Sequence, residues 1–120
     1  MNPSEILERV GAQRGVHPLH VAKKIHDHIG SPGGDFDQHN DTLMFFKPIA
    51  HGTAHVHFVT QDSPLNLINS LTFFTHELRK KGVNTIYLNT ESKSIITALK
   101  TIGLHLMHSN LPKYNLMAHV

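Results

Sequence analysis

The stretch from Thr53 to Leu88 constrains this chain more than any other. Thr53 to Thr60 alternates in character. Ala54, Val56 and Phe58 point one way and His55, His57 and Val59 the other, which is the period of a strand with two unlike faces. Asp62-Ser63-Pro64 follows, where Asp62 or Ser63 can cap a helix and Pro64 suits its first position. Leu65, Ile68, Leu71, Thr72 and Leu78 then recur at helical spacing, and Phe73 and Phe74 widen the apolar face. Arg79, Lys80 and Lys81 suit the negative end of the helix dipole, and Gly82 ends the helix. Val83 to Leu88 is rich in β-branched residues and reads as a strand. A strand, an amphipathic helix and a strand in this order predict parallel neighbours joined by a right-handed crossover, with the helix against the sheet.

The flanking segments fit around that unit. Asn2 can cap and Pro3 can open a first helix, with Glu5 in capping-box position and Ile6, Leu7 and Val10 as its apolar stripe. Pro18 can open a second helix, in which Leu19, Ala22, Ile25 and Ile29 recur before Gly30 stops it. Residues 31–41 read as a flexible loop, with Phe36 its one large apolar residue. Thr42 to Lys47 reads as a strand ended by Pro48, and the short turn through Gly52 makes it a hairpin with the strand at 53–60. Asn89 to Ser92 is polar and can cap a helix from Ser94 to Ile102 that turns Ile95, Ile96, Ala98, Leu99 and Ile102 inward. Leu104 to His108 and Tyr114 to His119 read as strands joined by Ser109 to Lys113. The expected order is α-α-β-β-α-β-α-β-β, an α/β fold with a mixed sheet of about five strands. It forms one domain over 1–120, with a helical part at 1–30, the loop at 31–41, and the sheet with its crossover helices at 42–120.

Composition removes several classes. A length of 120 residues suits a single domain with one real core. The absence of cysteine excludes disulfides and thiolate metal sites. No apolar run approaches the roughly 18 residues of a membrane span, and Met1 to Glu5 lacks the layout of a signal peptide. A cytoplasmic protein is expected. Lys23-Lys24 and Arg79-Lys80-Lys81 read as solvated helix faces, so nucleic acid is not expected as a partner. The chain is histidine-rich, with twelve, so its net charge of +2 rises below about pH 6.5.

The order of elements from 42 to 120, the helix lengths and the terminal hairpin resemble the GNAT superfamily of N-acetyltransferases. The most family-like stretch is Ser94 to Leu104, ending in Lys100-Thr101-Ile102-Gly103-Leu104. The first strand of that fold is not evident, so a trimmed version is expected. In style and length the chain also resembles the small phage-encoded branch, including internal virion proteins of short-tailed phages. That resemblance implies a host-cytoplasm or virion location.

In the family, a loop reading Gln/Arg-x-x-Gly-x-Gly/Ala holds the pyrophosphate of acetyl-CoA at a helix N-terminus. The matching run here is Gln61-Asp62-Ser63-Pro64-Leu65-Asn66. Gln61 matches the first position, Pro64 and Asn66 replace the glycines, and Asp62 adds a negative charge. The resemblance implies Gln61, Asp62, Ser63, Leu65 and Asn66 as the residues that would touch acetyl-CoA. The tyrosine that protonates the departing thiolate falls on Leu99, and the asparagine opening that helix falls on Ser92. His76, His105 and His108 are substitutes for the missing acid.

His55 and His57 are the candidate general bases, because they share one face of a strand and have a suitable unperturbed pKa. The same pair invites a metal reading with His51 and with Asp35, Asp37 or His39 from the loop, and His17 and His20 share a helix face. With this many histidines such spacings arise by chance, and no metal is expected. Adjacent Phe73 and Phe74 point about 100° apart on a helix, the one hint of a protein interface.

Two functional readings follow, the first preferred and the second its alternative. One is a GNAT-like protein with a degenerate acetyl-CoA site that acts through a protein partner or as a homo-oligomer, such as a phage virion component. It needs no cofactor. The other is an acetyl-CoA-dependent N-acetyltransferase with an altered loop.

Overall fold

The computed structural model describes residues 1–13 and 35–120. The helix expected from Pro18 to Gly30, the start of the expected loop, and His17, His20, His26 and His28 lie outside the described residues. Within them the elements are α1 (Pro3–Gln13), β1 (Asp35–His39), β2 (Thr42–Ala50), β3 (Thr53–Thr60), α2 (Pro64–Lys80), β4 (Thr85–Leu88), α3 (Lys93–Thr101), β5 (Leu106–His108) and β6 (Leu116–His119). The strands form one mixed sheet in the order β1-β2-β3-β4-β6-β5. The only parallel pair among them is β3 with β4, the two strands joined through α2. The terminal hairpin adds β6 beside β4 and β5 outside it.

Three sequence expectations are corrected. Residues 35–39 are a strand, not part of a loop. Asp35↔Phe46 through His39↔Thr42 pair β1 antiparallel to β2, so the sheet has six strands and the edge strand missing from the sequence reading is present. Asp35 and Asp37 have poor strand propensity, and it is pairing with β2 that holds them extended. Asn40, at φ +50°, makes the tight reversal between the two strands.

The second correction concerns Pro48, which does not end β2. That strand runs on to Ala50, with its register slipping between Pro48 and Ala50. Among the described residues, pairing with β1 stops at Phe46, so the proline occupies a position where the missing N–H is tolerated.

The third correction is the buried face of α2. Leu67, Leu71, Phe74 and Leu78 face the core, whereas Leu65 is 69% exposed and Thr72 is also exposed. The spacing i, i+4, i+7, i+11 is as helical as the expected one, and contact with the sheet selects between them.

Two clusters separate the faces of the sheet. On one side Met44, Val56, Phe58, Ile86 and Leu88 pack against Leu67, Leu71, Phe74 and Leu78 of α2 and Ile95, Ala98 and Leu99 of α3. On the other, Ile6 of α1 packs on Leu43, Phe45 and Val59. The alternation of β3 therefore assigns Val56 and Phe58 to the α2 side and places His55 and His57 on the α1 side. Phe74 is fully buried, and half-buried Phe73 packs against the same core and stacks on His39 with ring centroids 4.3 Å apart.

Candidate active site

The strands β3 and β4 pair only at their first residues, Thr53↔Thr85, Ala54↔Ile86 and His55↔Tyr87. Beyond His55, β3 continues to Thr60, while β4 ends at Leu88 and the chain turns away into Asn89–Ser92. The two strands diverge, and a cavity of about 530 Å³ opens, lined by His57, Asn89, Thr90, Glu91 and Ser92.

The far wall of this cleft is tied down. The Thr90 N–H donates to Asn115 Oδ1 at 3.1 Å, and Asn115 Nδ2 returns a bond to the Thr90 carbonyl at 2.7 Å. Asn89 Nδ2 donates to the Lys113 carbonyl at 3.1 Å. Ser92 caps α3, accepting from the Ile95 N–H. These bonds fasten the loop after β4 to residues 113–115, so the wall does not depend on its own short backbone.

On the β3 side His57 lines the cavity, and the loop that opens α2 follows the end of that strand. Gln61 exchanges side-chain hydrogen bonds with Gln13 at the end of α1, at 3.0 and 3.5 Å. Its N–H donates to the Asp41 carbonyl at 2.9 Å. The Asp62 carboxylate accepts from the Asp41 N–H at 3.0 Å, Thr42 Oγ1 at 2.5 Å and Ser70 Oγ at 3.0 Å. Ser63 is the N-cap of α2 in extended conformation, and its side chain makes no capping bond. Pro64 takes the first helical position, and the first turn carries no acidic side chain, although Arg79 and Lys80 neutralise the other end. Leu65 and Asn66 are exposed. The α2 N-terminus thus presents backbone donors and a positive dipole end that its own side chains leave uncapped.

The two candidate bases meet different neighbours. His57 lines the cavity and lies against Phe45, with centroids 6.4 Å apart. His55, at the apex of the divergence, lies against Tyr114 with the rings tilted by 36° and their centroids 4.8 Å apart. Tyr114 also meets Tyr87 at 5.5 Å, and the Tyr87 hydroxyl donates to Asn110 Oδ1 at 2.7 Å. An aromatic group of His55, Tyr87 and Tyr114 therefore stands beside the cleft.

The remaining candidates do not converge. Leu99 is 1% exposed within the core. His76, His105 and His108 are exposed, and none of them lines the cavity. His51 is in the β2–β3 turn, at the other end of the strand from the cleft. His39 is on the α2 side of the sheet, opposite His55 and His57. Among the described residues no group of three or more His, Asp or Glu side chains is placed to hold a metal ion.

Sequence reasoning missed Tyr114, Asn110, Asn115, Thr42 and Ser70. Tyr114 carried one faint signal, being one of two tyrosines in the chain. The others are ordinary polar residues whose partners are distant in sequence.

Among the described residues, a mixed sheet with a single parallel pair, β3 and β4, joined through a helix makes this an α/β fold. Solved structures specify it further. The chain is similar to an aminoglycoside 6'-acetyltransferase type Ii, with a TM-score of 0.64 and 15% identity over 98% of this chain and 85% of that one. It is similar to an acetyltransferase of the GNAT family from Staphylococcus aureus Mu50, with a TM-score of 0.59 and 15% identity over 99% of this chain and 94% of the other. It is also similar to the ribosomal-protein-S18-alanine N-acetyltransferase of Escherichia coli, with a TM-score of 0.52 and 11% identity over 99% and 86% of the two chains. No protein-family model matches the chain, and no curated protein matches it in sequence. The chain has the GNAT acetyltransferase fold.

Proposed function

We propose that the chain is an acetyl-CoA-dependent N-acetyltransferase. The observation that carries this reading is the early divergence of β3 and β4, which opens a cavity at His57, in a strand followed by a helix whose N-terminus its side chains leave uncapped. A volume of about 530 Å³ suits a small-molecule site. The residues fit an elongated acyl donor with a diphosphate. Among the described residues, β4 does not pair with β3 beyond His55, so the two strands part along Val56 to Thr60. Past the end of β3, the Leu65 and Asn66 amides meet the positive end of a 17-residue helix. Gln61, Ser63 and the backbone of Asp62 complete that end.

Acetyl-CoA, when bound, supplies an activated acetyl thioester. His57 then stands on the cleft wall as the general base. A neutral imidazole nitrogen takes the proton of an attacking amine near neutral pH. His55 and Tyr114 lie in contact where β3 and β4 begin to part, and the Tyr114 hydroxyl is the group assigned to the acid role that Leu99 leaves open.

A second reading is favoured by that same Leu99, which is closed in the core, and by Pro64, which removes one amide from the loop. On this reading the scaffold has a degenerate cofactor site and acts through a protein partner or its own copies, as in a phage virion.

Thermal unfolding with and without millimolar acetyl-CoA, followed by an acetyl-transfer assay over a panel of primary amines, separates the two. A raised midpoint with transfer supports the enzyme. An unchanged midpoint sinks it, since a ligand of the native state must stabilise that state.

A further inference from the structure

Asp62 immediately precedes the α2 cap, where a fixed carboxylate would repel the diphosphate of an acyl donor. Both of its oxygens are instead engaged from inside the molecule. Oδ1 accepts from the Asp41 N–H, and Oδ2 accepts from Thr42 and Ser70, two hydroxyl residues that are 0% exposed. The Asp62 N–H donates to Thr60 Oγ1 at 3.0 Å, and that hydroxyl is 2.7 Å from Thr42 Oγ1. Ser70 Oγ is also 3.0 Å from the His39 carbonyl and receives Asn40 Nδ2 at 3.3 Å. The β1–β2 turn, the end of β3 and the second turn of α2 thus converge on one carboxylate.

We infer that Asp62 is a positioning residue that holds the 61–63 loop in the shape that receives the donor's diphosphate, while its own charge is consumed by internal donors. The inference rests on the acetyl-CoA reading of this cleft. The Asp41 N–H and the Thr42 hydroxyl give the carboxylate charge-assisted bonds, and Ser70 shares its one proton between the carboxylate and the His39 carbonyl, which turns the lone pairs inward. The loop is also bound to the β1–β2 turn through the reciprocal pair Asp41 N–H to Asp62 Oδ1 and Gln61 N–H to the Asp41 carbonyl. Without the carboxylate, Thr42 and Ser70 lose an acceptor, and the loop loses the contact that sets where the first amides of α2 point.

The test compares the affinities of two donors by calorimetry, acetyl-CoA and S-acetyl-pantetheine, the second lacking the diphosphate and the nucleotide. Asp62→Ala is expected to weaken acetyl-CoA about tenfold, the scale of one charge-assisted hydrogen bond. It is expected to leave S-acetyl-pantetheine unchanged. Asp62→Asn retains an acceptor oxygen for the Asp41 N–H and restores most of the affinity. If Asp62→Ala does not fold, Ser70→Ala carries the same comparison, with a smaller selective loss. Equal losses for both donors, or no loss, overturn the inference while the acetyl-CoA reading stands. Tighter acetyl-CoA binding by Asp62→Asn also overturns it, because the carboxylate would then be facing the phosphates. Absence of acetyl-CoA binding by the unaltered chain overturns both.

Discussion

His55 and His57 stand two residues apart on one strand, yet their surroundings make them unequal. His57 lines the cavity, whereas His55 lies against Tyr114. If His57 is the base, His57→Ala lowers the acetyl-transfer rate about 10²- to 10⁴-fold, the range of general-base catalysis. His55→Ala has the smaller effect on kcat, and steady-state kinetics of the two variants at saturating donor checks the order. The opposite case is Leu99, where the resemblance to acetyltransferases expects a tyrosine. Its side chain is 1% exposed and surrounded by core. Leu99→Tyr therefore restores no activity and overpacks the core, at a cost of about 1–3 kcal/mol in denaturant unfolding. That the two histidines share a face was legible from alternation alone. Which one faces the cleft was not, because that depends on where β4 stops.

At the scale of elements, α2 shows how far periodicity reaches. The helix, its proline start and its basic last turn are all readable from local chemistry. Its buried face is not, since Leu65 and Leu67 are both apolar and both fit a helical stripe. Phe74→Ala is expected to cost about 3–5 kcal/mol, as for any fully buried aromatic residue. Leu65→Ala, at a residue 69% exposed, stays within about 0.5 kcal/mol unless it touches a bound ligand. Chemical denaturation of both variants measures the contrast. The β2–β3 turn supplies another case. Gly52 has φ +70°, its carbonyl accepts the Asn84 and Thr85 N–H groups, and a Cβ there would stand 3.0 Å from the Asn84 side chain. Gly52→Ala is expected to destabilise by about 1–2 kcal/mol, the cost of left-handed backbone for an L-residue. The edge strand β1 escaped sequence reasoning for a related reason. Asp35-Phe36-Asp37 has no strand signal of its own, and its extended form is imposed by the neighbouring β2.

At the scale of the whole molecule, the sheet carries two unlike faces. One is filled by α2 and α3, and the other receives α1 over Ile6, Leu43, Phe45 and Val59. The acetyltransferase reading makes a global prediction here. Acetyl-CoA at a hundredfold excess over its dissociation constant adds about 2.7 kcal/mol of stability by mass action, read as a raised unfolding midpoint. Phe73 and Phe74, whose adjacency hinted at an interface, also part at this scale. The Phe74 ring is fully buried, and the half-buried Phe73 ring stacks on His39.

What the sequence by itself determined is what neighbouring residues can enforce. The period of two in β3, the period near 3.6 in α2 and α3 and the caps follow from contacts within a few residues, and the resulting strand–helix–strand order requires a right-handed crossover to a parallel neighbour. The module from Thr53 onward was legible for that reason. What only the tertiary structure decided depends on pairs distant along the chain. Asp62 meets Thr42 across 20 positions and His39 meets Ser70 across 31. The edge strand, the contact of Tyr114 with His55 and the inward turn of the Asp62 carboxylate belong to this second set. A carboxylate beside a helix start reads as a charge facing solvent until its donors are known. Here the donors come from the β1–β2 turn, from β2 and from α2 itself, and only the folded chain brings them together.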